Sequence, residues 1–316
     1  MQRIFVAGGA GFIGSHMIDR LMRATDAEIV IFDNFCSGQT WHLKTHLRSP
    51  RLKIIEGDLK DLDSTTKAMT GVHRVYHFAS NPDIAKAMVQ PDIDFWEGTY
   101  LTQNLLEAIR KNGVKELIYA SGSGVYGDVG EHPVTENHTP MLPISPYGAS
   151  KLSCEVTTHV YTHMFGLKAW VFRFANVVGP NQTHGVAYDF IRSLRRNSQL
   201  LHILGDGTQS KSYIHVTDII DGLQYFSERD QDSYNYYHLA TTDYMTVTEI
   251  ADLVVDEMGL SNVTYDYSGG QRGWSGDIPV VRFDLTKVHD RGWRARLSTR
   301  EAMRSAIRAM IDNPLI

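Results

Sequence analysis

The chain has only two cysteines, Cys36 and Cys154, too few for a disulfide framework, and both read as free thiols. Its apolar runs all fall short of the ~18 residues needed to span a bilayer, so no membrane partner is expected. Among the 14 histidines no set of metal ligands stands out, so no metal is expected either. A net charge of −5 carries no excess of positive charge for nucleic acid. Internal repeats, low-complexity tracts and long charge runs are absent as well. The first apolar run begins almost at Met1, which leaves no room for a signal peptide, and a cytoplasmic location is expected. Hydrophobic residues at 42% and charged ones at 21% describe an ordinary globular composition. A length of 316 residues predicts one large domain and a smaller appended one.

Glycine, by contrast, is concentrated near the start. Ile4, Phe5 and Val6 suit a short buried strand. Four glycines then fall within seven residues (Gly8, Gly9, Gly11, Gly14). An apolar-periodic helix follows through Phe12, Ile13, Met17, Ile18, Leu21 and Met22. Strand, glycine turn and helix together predict a dinucleotide site, because a chain without Cβ atoms can lie against a pyrophosphate at the amino end of a helix. Asp33 ends the next apolar run about 20 residues beyond the last glycine, where a carboxylate accepts both ribose hydroxyls of an adenosine. An acid there repels a 2′-phosphate, so NAD is expected over NADP.

Further strands are predicted at 52–55, 74–80, 116–120 and 167–174, alternating with helical patterns such as Asp92 to Asn112. That alternation implies a parallel sheet covered on both faces, with ligands beyond the carboxyl ends of its strands. The loop Asn34–Gly38, containing Ser37, is placed to wrap the ribose. Asp58, followed by Leu59, is placed to meet the adenine amino group. After a proline-rich loop, Tyr147 and Lys151 open a helix at i and i+4, on one face. Tyrosine is a poor base at neutral pH, with a free pKa of ~10, and a nearby ammonium favours the phenolate. Many helices carry Tyr-x-x-x-Lys by chance. The pair gains weight from standing after the fifth strand of a nucleotide-binding sheet.

These residues together make the chain resemble an extended short-chain dehydrogenase/reductase, and within it the nucleotide-sugar epimerases of the UDP-glucose (UDP-galactose) 4-epimerase type. The likeness runs through Gly8–His16, Asp33–Asn34, Gly57–Leu59, His77–Phe78–Ala79, Val125–Gly127, Ser145–Lys151, Arg173–Pro180, Gly205–Thr208, Tyr213–Val216 and Arg272–Asp277. It implies an α/β fold: a Rossmann-type doubly wound parallel sheet with a smaller α/β substrate-binding domain. The expected NAD-binding domain is 1–175, with return segments at about 215–240. The expected substrate-binding domain is 176–316, mainly 176–214 and 241–316.

The resemblance also implies that Gly8, Gly11, Phe12, Ile13, Gly14, Asp33, Asn34, Ser37, Gly38, Asp58, Leu59, Phe78, Ala79, Tyr147 and Lys151 hold NAD. Tyr147 then takes the proton of the sugar 4-hydroxyl while the C4 hydride passes to NAD. Asn176, Lys211 and Arg272 are the expected contacts to the substrate diphosphate, Lys211 standing where the family has arginine. A UDP-hexose substrate and a homodimer, paired through the helix ending near Asn112 and the one starting at Tyr147, follow from the same likeness.

Three positions depart from the family. Its catalytic Ser or Thr, four residues before Tyr126, is Gly122 here, and Ser123 is the expected substitute over Ser121. Its asparagine in the helix after Pro91 is Gly98, expected to leave a hole beside the cofactor. Its serine upstream of Pro91 falls on Ala87 or Lys86. A 4,6-dehydratase is disfavoured, because that group's Asp-Glu pair is Ser123 and Gly124. The alternatives to 4-epimerisation are a 4-dehydrogenase or ketoreductase releasing the oxidised sugar, and a catalytically weakened NAD- and sugar-nucleotide-binding protein.

Overall fold

The computed structural model describes residues 2–313 and Leu315. Met1 and Ile316, the outer limits of the expected domains, lie outside the described residues, as does Pro314. The chain begins with β1 (Arg3–Ala7), α1 (Phe12–Ala24), β2 (Glu28–Asp33), β3 (Leu52–Glu56), α2 (Leu62–Ala68) and β4 (Arg74–His77). It continues with α3 (Leu101–Asn112), β5 (Glu116–Gly122), α4 (Pro146–Phe165), β6 (Lys168–Phe174), β7 (Asn176–Val178) and α5 (Val186–Arg196). Next come β8 (Leu200–Ile203), β9 (Ser210–Lys211), β10 (Tyr213–His215), α6 (Val216–Arg229) and β11 (Tyr234–Leu239). The last elements are β12 (Met245–Thr246), α7 (Val247–Glu257), β13 (Thr264–Tyr267), α8 (Thr286–Asp290) and α9 (Thr299–Ile311).

Two compact units result. The first comprises the chain up to Gly122, Pro146–Arg173 and Ile220–Tyr237. Its seven-stranded sheet runs β11-β6-β5-β4-β1-β2-β3, and the pairs from β3 to β5 are parallel. Ile4–Ala7 and Ile29–Phe32 are buried throughout, as strands covered on both faces must be. Phe5 stacks on Phe32 at 5.6 Å, in a core that takes Leu105, Leu106 and Ile109 from α3. Helix α3 stops at Gly113, whose φ of 67° a side chain rarely adopts.

Where one helix is expected over Asp92–Asn112, residues Phe95–Tyr100 form a π-helical stretch and only Leu101 onward is α-helical. The expected hole at Gly98 is not there. A Cβ on Gly98 would lie 2.1 Å from Ser150 Oγ, so the hydroxyl of α4 already fills the position and the two helices meet closely because the residue is glycine. Ala87 is buried in a short 3-10 turn, Ile84–Met88.

The second unit comprises Ser123–Ser145, Phe174–Ile219 and the chain from His238 onward. Helices α5, α7 and α9 bury Ile191, Leu194, Ile250, Val254, Met303 and Ile307 in one core. Both α7 and α9 start with capping boxes, Thr246 with Glu249 and Ser298 with Glu301, which satisfy amide donors that a helix start leaves open. Segment Ser123–Ser145, expected with the first domain, is held here by later parts of the chain. Val134 exchanges backbone hydrogen bonds with Arg282 and Asp284 at 3.0 and 2.8 Å, and the Glu136 carboxylate accepts the His238 amide at 3.1 Å.

Among the described residues, no helix is long and apolar enough to cross a membrane. Nor does any group of three or more His, Cys, Asp or Glu stand where it could hold a metal.

Candidate active site

In the first unit, the glycine turn is shaped by close approach. Gly8 has φ 74°, and a Cβ on it would lie 2.7 Å from the Ala79 amide nitrogen, so the ends of β1 and β4 touch as bare backbone. A Cβ on Gly14 would lie 2.1 Å from the Gly8 carbonyl oxygen, so only glycine lets α1 begin this close to the turn. Gly11 N–H closes the turn on Gly8 O at 3.2 Å. Phe12 and Ile13 are the first residues of α1, at the end where helix amides and dipole favour an anion.

Asp33 ends β2 beside this turn. Its Oδ2 accepts the Ala10 amide at 2.8 Å and its Oδ1 the Phe35 amide at 2.9 Å. Burial raises its pKa, and the two amides oppose that shift. Each carboxylate oxygen keeps a second lone pair for a ribose hydroxyl. Gly38 passes over the same carboxylate, since a Cβ there would stand 2.7 Å from Oδ1. Asn34 caps its own loop through the Cys36 amide, and the Ser37 carbonyl accepts from Gln39. Asp58 accepts the Lys60 amide at 2.8 Å, Leu59 is buried, and Phe78 N–H bonds Ala7 O at 2.9 Å. The cradle a side chain would fill, the helix start and the buried acid at the end of β2 all fit a dinucleotide.

Tyr147 and Lys151 lie in the first two turns of α4. Lys151 is 5% exposed; its Nζ donates to Ala120 O at 2.8 Å and stands 5.2 and 5.4 Å from the Tyr119 and Tyr147 ring centroids. A backbone carbonyl thus satisfies the ammonium while leaving it beside the tyrosine ring. His77, fully buried on Thr102, is pushed down to about 3 by burial and by the Lys151 charge, so it is a neutral imidazole.

Around Gly122 the three candidate positions separate. Ser121 Oγ donates to the buried Glu155 at 2.5 Å. A Cβ on Gly122 would meet nothing within 4 Å. Ser123 belongs to the second unit, where it lines a small cavity with Asn176, Lys211, Ser212 and Phe283. Two of the expected diphosphate contacts are thus brought together with Ser123. Lys211 Nζ pairs with Asp277 at 2.7 Å. Arg272 pairs with Asp128 and donates to the Asp277 carbonyl, so both cations meet at Asp277. Sequence reasoning missed these acid partners and the buried Glu155–Arg173 pair, which no spacing in the chain marks.

A family model described as the NAD dependent epimerase/dehydratase family matches residues 4–240. A UDP-glucose 4-epimerase of Mycolicibacterium smegmatis is 32% identical over 228 residues, covering 70% of this chain and 71% of that one. A crystal structure of a UDP-galactose 4-epimerase is 34% identical with a TM-score of 0.87, covering 98% of this chain and 99% of the other. The UDP-glucose 4-epimerase of Thermotoga maritima, solved with UDP-glucose, superposes with a TM-score of 0.87 at 28% identity, over 98% and 99% of the two chains. With the cradle, the acid of β2 and the Tyr147–Lys151 pair in place, the chain belongs to the NAD-dependent epimerase/dehydratase family of nucleotide-sugar enzymes, and its cofactor is NAD.

Proposed function

We propose that the protein is a nucleotide-sugar 4-epimerase of the UDP-glucose/UDP-galactose type. The observation that carries the reading is the Tyr147–Lys151 pair, with its ammonium buried on the Ala120 carbonyl. Held by the Gly8–Gly14 turn and Asp33, bound NAD would supply the hydride acceptor and donor for sugar C4. Tyr147 takes the proton of the 4-hydroxyl and gives it back, with the Lys151 ammonium held beside its ring. Epimerisation then requires the 4-keto sugar to present its opposite face. Ser123 is the hydroxyl assigned to the reacting oxygen, since Ser121 is committed to Glu155. Asn176, Lys211 and Arg272 hold the diphosphate, which replaces Asp277 and Asp128 as the partner of the two cations. Lysine at 211 keeps the charge without the bidentate fork of arginine.

The same reading has two copies pair through α3 and α4. Val156, Val160 and Met164 recur every fourth residue of α4 and are exposed, as are Phe95, Trp96 and Tyr100 just ahead of α3. That stripe is apolar surface of the kind interfaces cover. Val160→Glu is expected to halve the mass measured by light scattering.

The activity is tested by incubating the protein with UDP-galactose and, separately, UDP-glucose, each with NAD, and following both sugars by proton NMR. Interconversion without net NADH supports the epimerase. Net NADH with a 4-keto product would replace it with a dehydrogenase.

A further inference from the structure

Tyr147, Lys151 and Glu155 stand at i, i+4 and i+8 of α4, one above another on a single face. Glu155 and Arg173 are 2% and 4% exposed. Arg173 Nε donates to both Glu155 oxygens at 3.0 and 3.1 Å, and a terminal nitrogen donates to Oε2 at 2.6 Å. The Ser121 hydroxyl donates to Oε1 at 2.5 Å, and Tyr234 OH donates to the Glu155 carbonyl at 3.3 Å. Consecutive residues of β5, Ala120 and Ser121, are therefore each tied to consecutive turns of α4, by Lys151 and by Glu155.

A buried ion pair is a poor way to gain stability, because desolvation offsets its attraction. What it supplies is direction: a forked guanidinium and a serine hydroxyl fix one carboxylate from β6 and from β5 at once. We propose that Glu155 is a positioning residue, setting the Tyr147–Lys151 face of α4 against the end of β5 through Ser121 and Arg173. Glu155 moves no proton itself, since both oxygens are filled by donors. It acts through helix placement, to which proton transfer is steeply sensitive: a 1 Å misplacement costs roughly 100-fold. This inference rests on the reading of Tyr147 as the base.

Ser121→Ala cuts the tie to β5 and leaves the Glu155–Arg173 pair, so the fold is expected to persist. The predicted result is a fall in kcat of about tenfold with KM within about twofold. The acid limb of the kcat–pH profile should move to higher pH, with an unchanged melting temperature and recovery in Ser121→Thr. Affinity for NAD alone, by calorimetry, should weaken about threefold in Ser121→Ala as Lys151 shifts. Wild-type kcat, pH profile and NAD affinity in Ser121→Ala would overturn the inference, and so would a loss that Ser121→Thr fails to recover or that tracks a fall in melting temperature. The NAD titration needs no sugar: absent turnover in the wild type would sink the epimerase reading, whereas unchanged NAD affinity in Ser121→Ala would sink this one.

Discussion

The two units prepare for ligands by different means. In the first, shape is fixed in the backbone: Gly8, Gly14 and Gly38 stand where a Cβ would overlap a carbonyl, an amide or a carboxylate, and Asp33 and Lys151 are satisfied by backbone groups. In the second, the cations proposed to hold the diphosphate are paired with carboxylates, Lys211 with Asp277 and Arg272 with Asp128, at partly exposed positions. A backbone cradle is ready before its ligand arrives. Ion-paired cations must exchange one anion for another, and such surface pairs stabilise little, about 0–1 kcal/mol, which makes the exchange cheap.

The contrast is broken most severely at the chemistry. Tyr147→Phe is expected to lower kcat about 10²- to 10⁴-fold, read from steady-state turnover. Gly14→Ala comes next: forcing a methyl to within 2.1 Å of Gly8 O should weaken NAD binding by about 100-fold or unfold the protein, as overpacking costs about 1–3 kcal/mol. Lys211→Ala is expected to weaken nucleotide-sugar binding by only about tenfold, with NAD affinity untouched. If Lys211→Ala damaged NAD binding as much as Gly14→Ala, the division of labour between the units would fail.

The smallest effect is one of pH. Burial raises the Asp33 pKa from its ordinary 3.8, so the folded chain holds that proton more tightly than the unfolded one. The stability contribution of Asp33 is therefore fully present below the ordinary carboxylate range and is lost as pH rises through the raised value. Thermal melts of Asp33→Asn should accordingly gain on the wild type as pH climbs through that window. A gap that stays constant with pH would remove Asp33 as the buried acid of the cradle.

What was legible in the sequence follows the same contrast. Backbone constraints leave glycines behind, so the turn, Asp33 and the alternating strands could be read directly. Helix periodicity likewise placed Tyr147 above Lys151. Side-chain pairing leaves no such mark: nothing in the spacing of Lys211 and Asp277, or of Asp128 and Arg272, announces a bond across 66 or 144 residues. The hole expected at Gly98 failed for a related reason, because a missing side chain was read without knowing that Ser150 Oγ stands in its place. Segment Ser123–Ser145 left the expected first domain because its partners, Phe283 and His238 among them, come more than 100 residues later.

The most direct measurement starts from UDP-galactose deuterated at C4, incubated with the NAD-loaded protein and followed by NMR. The account predicts UDP-glucose that retains the deuterium at C4, no accumulation of reduced cofactor, and no conversion by Tyr147→Phe. Loss of the label to solvent or into released reduced cofactor, or full conversion by Tyr147→Phe, would contradict it.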